Sequence, residues 1–167
     1  MIDQIDRQII LHLQEDARLS NAALAEKVGL TVSTIHERVK KLEKKGIIKG
    51  YVAVVDAEAI GKPIMAFIRL TVGTTPDGYV ETKHNIMDVC RAEPDILECY
   101  GVAGEDCYIL KVRATSPKDL ERVIERIRSE ATIAHSITSI VLSTFKESST
   151  VVPFSPDDPE NEPLHSQ

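Results

Sequence analysis

Between Thr31 and Lys45 the chain sets hydroxyl, acidic and basic side chains at intervals that gather them on one side of a helix. At about 100° per residue, Ser33, Thr34, Glu37, Lys41, Lys44 and Lys45 fall opposite an apolar stripe of Val32, Ile35, Val39 and Leu42. Arg38 and Lys40 lie at the flanks of that face. Lysine and arginine supply contacts to phosphate, and short hydrogen-bonding side chains near the start of a helix can read base edges. The candidate chemistry is therefore duplex DNA recognition. Arg18, Asn21 and Lys49 are placed to add backbone contacts. Ser20 and Thr31, each at a helix start, join the same candidate surface. A solvated basic helix face without a ligand would carry the same residue types.

Charge along the chain supports a division of labour. The 167 residues sum to −6, which taken whole argues against a nucleic-acid binder. Within 28–50, however, six basic residues face two acidic ones, while 51–167 holds 11 basic against 19 acidic. A basic segment joined to an acidic body points to two modules with different partners.

Other chemistries find little support. Cys90, Cys99 and Cys107, at spacings of 9 and 8, match no common zinc pattern or disulfide framework, so they read as reduced core residues and no metal site is expected. The five histidines (12, 36, 84, 135 and 165) do not cluster. No Gly-rich phosphate loop or nucleophile elbow occurs, and no catalytic residue is assigned. No apolar run approaches the ~18–20 residues of a membrane span, and the start of the chain, MIDQIDRQII, lacks the form of a secretory signal. A cytoplasmic protein without a membrane partner is expected.

These residues need elements to position them. Ile2, Ile5, Ile9, Ile10 and Leu13 mark a first helix, with Asp3 and Asp6 in its first turn. Ser20 offers an N-cap for a second, short helix over Asn21 to Lys27, with Leu24, Ala25 and Val28 inward; Gly29 ends it. Thr31 caps the third, which stops at Gly46. Three short helices with a tight turn between the last two form a helix-turn-helix. The β-branched run Ile47 to Val55 reads as a following strand, in the position of a small wing. Further on, strands are expected at Ile64 to Val72, Ile96 to Val102, Cys107 to Ala114 and Ile137 to Phe145. Helices are expected at Pro76 to Ala92 and from Ser116 through Ser129, the latter burying Leu120, Val123, Ile124 and Ile127. The order β-α-β-β-α-β is ferredoxin-like. The fold class is thus α+β: a winged helix-turn-helix over 1–50, a linker over 51–62, and a ferredoxin-like domain over 63–146. Residues 147–167, with prolines at 153, 156, 159 and 163 and five acidic residues, read as a flexible tail.

The N-terminal run resembles the DNA-binding domain of the Lrp/AsnC, or feast/famine, family. Asp6, Asp16-Ala17-Arg18-Leu19-Ser20, Leu24-Ala25, Val28-Gly29-Leu30, Arg38-Val39, Leu42-Glu43, Gly46-Ile47-Ile48 and Gly50-Tyr51 carry the likeness. The stretch from Ile64 to about Lys146 is similar to the family's effector and oligomerisation domain. The resemblance implies a transcriptional regulator that binds double-stranded DNA and dimerises through its α+β domain. It implies further assembly to tetramers or octamers, and an amino acid or related small molecule as effector, with no cofactor. It places the effector near the hairpin turn Gly104-Glu105-Asp106-Cys107-Tyr108 and near Ser136 and Thr138 on the last strand. The turn departs from one common family pattern, with Asp106 where an aromatic is expected and Cys107 where an Asp is expected. A carboxylate is the natural partner of an amino acid's ammonium group, a role left to Glu105 or Asp106. Two other roles share the resemblance: an architectural oligomer that wraps DNA without effector control, and an enzyme on the same fold.

Overall fold

The computed structural model describes residues 2–73, 76–130 and 133–154, the side chains of 76–82 and 130 excepted. It divides into two units, Met1–Val54 with Lys146–Gln167, and Val55–Phe145.

The N-terminal unit holds three helices: α1 (Gln4–Glu15), α2 (Asn21–Val28) and α3 (Val32–Lys44). Each begins at a side-chain cap. The Asp3 carboxylate accepts from the Asp6 N–H at 2.8 Å, and the Asp6 carboxylate accepts from the Asp3 N–H at 3.3 Å, a capping box built from two aspartates. Ser20 Oγ accepts from the Ala23 N–H at 3.2 Å, and Thr31 Oγ1 from the Thr34 N–H at 3.3 Å. At the end of α2 Gly29 takes φ +75°, which lets both its own N–H and that of Leu30 return to the Ala25 carbonyl. That left-handed step turns the chain from α2 into α3. Ile9, Leu13, Leu24, Ala25, Ile35 and Leu42 form the buried centre, with Val28 and Val39 packed beside them. Val32, assigned to the inner stripe by periodicity, is 50 % exposed. It stands at the first position of α3, where the turn has not yet brought the helix against its neighbours.

Two expectations for the flanking segments are corrected. The run Ile47 to Val55 forms no strand among the described residues, and Val52 and Val54 are almost fully exposed. β-branched residues favour extended backbone, but a strand needs a hydrogen-bonding partner, and the three-helix unit contains none. The segment read as a flexible tail runs with this unit over 146–154. Gln14 clasps Val151 through two hydrogen bonds, Nε2 donating to the Val151 carbonyl at 2.9 Å and Oε1 accepting from its N–H at 2.7 Å. Residues 155–167 lie outside the described residues.

The second unit contains β1 (Ile64–Val72), α4 (Pro76–Ala92), β2 (Ile96–Gly101), β3 (Tyr108–Ala114), α5 (Pro117–Glu130) and β4 (Ile133–Ile140). The sheet order is β2-β3-β1-β4, and every neighbouring pair is antiparallel. Strand β1 supplies alternate residues Ala66, Ile68, Leu70 and Val72 to a core shared with Leu110 and Val112 of β3, Ile86 and Val89 of α4, and Val123 and Ile127 of α5. Even-numbered β1 residues therefore face the helices. Phe67, Arg69, Ile109, Tyr100 and Ile137 lie on the opposite face. Ser116 Oγ caps α5 by accepting from the Asp119 N–H.

The last strand is shifted from its expected span. β4 pairs from Val72↔Ile133 to Ala66↔Ile140, and Leu142 and Phe145, assigned to it by sequence, are 93 % and 99 % exposed. Its bounds are set by its partner: the Val141 N–H meets the Met65 carbonyl, and β1 begins one residue earlier, leaving nothing for 142–145 to pair with.

Candidate nucleic-acid interface and effector site

Helix α3 carries the first candidate surface. Ser33, Glu37, Lys40, Lys41, Lys44 and Lys45 are all exposed, while Ile35 and Leu42 are buried beneath them. At its start, Thr31 Oγ1 lies 3.0 Å from Ser33 Oγ and 2.8 Å from Thr34 Oγ1. These hydroxyls gather at the N-terminal end of the helix, where the dipole favours an anion. The lysines occupy the other end, which gives the face a polar, hydrogen-bonding start and a cationic finish. Ser20 is exposed and Asn21 half-buried at the start of α2, and Arg18 and Lys49 are exposed. On the side of α3 bearing Glu43, that carboxylate accepts from the Tyr51 hydroxyl at 3.0 Å. Burial, reinforced by the Glu43 carboxylate, pushes the Tyr51 phenol up to about 12.

Arg38 departs from the other basic residues. Its guanidinium turns back to α1, where Nη1 lies 2.7 Å from both Asp3 and Asp6. The Asp3 carboxyl is held below the usual range, first by the Asp6 N–H and then by Arg38. Arg38 thus ties α3 to the capping box of α1. Residue type alone pointed to its charge but not to the two aspartates, 35 and 32 positions away.

The second candidate surface is at one end of the sheet. The turn between β2 and β3 is closed by the Val102 N–H donating to the Cys107 carbonyl, and is fastened to β1 where the Cys107 N–H donates to the Leu70 carbonyl at 2.8 Å. Gly104 takes φ +147° at its tip. Asp106 accepts from Arg69 Nε at 2.7 Å, and Thr71 Oγ1 donates to the Glu105 carbonyl. Asp106 is thereby neutralised, whereas Glu105 is exposed. Tyr108 is buried and pairs with Leu70, which on its other side pairs with Ser136. Ser136 in turn accepts from Arg128 Nη2 at 2.6 Å. Thr138 lies opposite Ile68, one pleat further along, and Cys107 is half-buried against the core. Thus the hairpin turn and Ser136 lie at one end of the sheet but toward different faces: Ser136 and Thr138 share the helix side with Leu70 and Ile68, while Asp106 meets Arg69 on the other side.

Sequence reasoning missed Arg69, Thr71 and Arg128 here. Arg69 left a signal, as the only charge in the apolar run IMAFIRLTV. Arg128 left none, since a cation in the last turn of a helix is ordinary.

A third charged group is structural. Glu93, 2 % exposed, accepts from Arg122 at 3.1 Å and Arg126 at 3.0 Å. Asp95 binds Arg122 and Lys62, and Asp119 binds Arg122. Burial works to raise the Glu93 carboxyl, but Arg122, the Asp95 N–H and Arg126 together bring it below the ordinary range. Among the described residues no group of His, Cys, Asp and Glu is arranged to hold a metal ion, and no helix is long and apolar enough to cross a membrane.

Comparison with known proteins identifies both domains. A family model described as a winged helix-turn-helix DNA-binding domain matches residues 2–49, and one described as the Lrp/AsnC ligand binding domain matches residues 65–151. The HTH-type transcriptional regulator AldR of Mycolicibacterium smegmatis is 34 % identical over 89 % of this chain and 85 % of its own length. LrpC of Bacillus subtilis is 37 % identical over 85 % of this chain and 92 % of its own. Among solved structures, a feast or famine regulatory protein from M. tuberculosis complexed with L-methionine superposes with a TM-score of 0.81 at 33 % identity, covering 92 % of this chain and all of that one. A transcriptional regulator from Neisseria meningitidis in complex with L-Met also gives 0.81, at 28 % identity, over 90 % and 96 % of the two chains. With a helix-turn-helix match at 2–49 and a match to the family's ligand-binding domain at 65–151, the chain belongs to the Lrp/AsnC family of DNA-binding transcriptional regulators.

Proposed function

We propose that the protein acts as a homodimer whose two α3 helices read a pseudo-palindromic duplex, and that an amino acid or closely related molecule modulates this binding. The observation that carries the DNA half is the exposed row Lys40, Lys41, Lys44 and Lys45 above a buried Ile35 and Leu42. Two such helices would sit about 34 Å apart, one turn of DNA. Support for self-association comes from apolar side chains left uncovered in the single chain. Val52 and Val54 are exposed, as are Phe67, Tyr100 and Ile137 on the sheet face opposite the helices. Further assembly to tetramers or octamers would use additional surfaces.

Support for an amino-acid effector comes from the sheet end and from the L-methionine complexes of the two structural relatives. With Asp106 occupied by Arg69, Glu105 is the turn carboxylate available to an ammonium group. Arg128 offers guanidinium donors to a carboxylate beside Ser136. On this reading the chain has a cytoplasmic, non-catalytic role, and the effector is the one small molecule it requires.

The test is fluorescence anisotropy on a selected duplex across a salt series. Each phosphate contact contributes about −0.9 to the slope of log affinity against log salt. Replacing Lys41, Lys44 and Lys45 together by Gln should make the slope shallower by roughly 2–3. An unchanged slope and affinity would remove α3 from the interface. Calorimetry with L-methionine and other amino acids tests the effector half, with Glu105→Gln expected to weaken any binding found.

A further inference from the structure

The α3 face identified by charge omits one polar side chain that the structure holds in a defined orientation. His36 is exposed on α3, between the apolar stripe and the lysine row. Its Nδ1 lies 3.2 Å from Nδ2 of Asn21, the first residue of α2. An amide nitrogen has protons to give and no lone pair to offer, so it donates and Nδ1 accepts. A neutral imidazole that accepts at Nδ1 carries its proton on Nε2. With the Asn21 amide nitrogen as donor, that hydrogen bond keeps the proton on Nε2 and restrains the ring's rotation. It leaves Nε2–H as a donor, for which no protein acceptor is found among the described residues. Asn21 and His36 are 15 positions apart and meet because the Gly29 turn folds α2 against α3.

We propose that His36, oriented by Asn21, is a base-reading residue whose Nε2–H donates to a purine N7 in the major groove, guanine being favoured because O6 adds a second acceptor beside N7. The proposal rests on the reading of α3 as the helix that enters the groove. Within that reading it separates two kinds of work. The lysines are flexible point charges that suit phosphates of any sequence, and a charge alone carries no base information. A neutral donor held from a second helix gains little from a phosphate but can tell one base edge from another. Arg38, the other side chain of α3 held by a distant partner, is committed to the capping box of α1 and leaves this role to His36.

The test is selection from a randomised duplex library by the full-length chain. Four proteins are compared: wild type, His36→Ala, His36→Phe and His36→Gln. Wild type should enrich one purine position in each half-site. The Ala and Phe variants should keep duplex binding but lose that preference, by about three- to tenfold in relative affinity. The Gln variant, whose Nε2 reaches the same place with a proton to donate, should retain it. The Phe variant keeps the ring's bulk, so it carries the test if Ala perturbs folding. Salt slopes should be equal in all four, since a neutral ring displaces no counterion. Identical enriched motifs in wild type, Ala and Phe would overturn the proposal, as would a slope reduced by about one, the mark of a phosphate contact. A wild type that enriches no sequence would be a different failure, that of α3 as a reading helix, and the proposal would fall with it.

Discussion

The two units of this chain are held together by different means, and the difference follows from what each leaves uncovered. Among the described residues the second unit buries 14 apolar residues in one cluster, because a sheet and two helices can each give a full face to it. The described residues of the N-terminal unit bury six. Its helix α3 spends its outer side on lysines and hydroxyls, and its inner stripe is narrow. A small unit with such a restricted core gains from polar ties, and Arg38 supplies one across α1 and α3. The second unit also has a charged tie, at Glu93, but there it fastens helices already seated on a sheet.

Cavity-forming substitutions should break this comparison most strongly. Ile35→Ala and Leu110→Ala each remove a fully buried side chain, at a cost of about 3 kcal/mol. In the six-residue core that loss should open the helices locally. Hydrogen exchange should then show 4–44 unprotected while β1 and β3 stay protected. Leu110→Ala should instead lower the protection of the sheet. Equal loss in both units from either substitution would mean that they unfold as one.

Glu93→Gln should have the next largest effect. It leaves two guanidinium groups facing a neutral amide and should cost about 1–3 kcal/mol in urea unfolding of the second unit. The pH dependence has a definite sign. The Glu93 and Asp119 carboxyls are held below their ordinary range in the folded chain, so the folded state binds fewer protons. Their contribution is present at neutral pH and is lost as pH falls below about 4, through the folded-state values. The Gln variant should show a weaker acid sensitivity than wild type.

Arg38→Met should be the mildest, at most about 1 kcal/mol, because the pair with Asp3 is partly open to solvent. Its value lies in contrast with the lysines. Arg38→Met should lower the melting temperature of the N-terminal unit and leave the salt slope of DNA binding unchanged. Lys41→Gln should do the reverse. A slope that drops by about one in Arg38→Met would show that the guanidinium leaves Asp3 and Asp6 for a phosphate. Asp3 has the same sign of pH dependence as Glu93, so this tie too should weaken on acidification.

What could be read in advance depended on how far apart the causes lie. The spans of β1 and α4 follow from an apolar run and from a proline-led amphipathic segment, and both appear at their expected bounds. The caps at Ser20 and Thr31 act over three residues, whereas Asp3, placed by sequence in the first turn of α1, is its N-cap. By contrast, β4 was displaced because its limits belong to β1, and Ile47 to Val55 stayed unpaired because no strand lay within reach. At the candidate effector site the turn sequence announced Glu105 and Asp106. Only the pairing of β1 with β3 brought Arg69 to Asp106 and left Glu105 free.

The amino-acid sequence by itself determined the two modules, their element order apart from the wing strand, the basic outward face of α3 and the family, since these rest on periodicity, local caps and residue type. The tertiary structure decided which charges remain available. It turned Arg38 inward to Asp3 and Asp6, paired Asp106 with Arg69, and oriented His36 through Asn21. The physical reason is that a side chain's charge is a property of its residue, whereas its partner is a property of the fold. Partners set more than 30 positions apart, as Asp3 and Arg38 are, meet only when helices pack or strands pair.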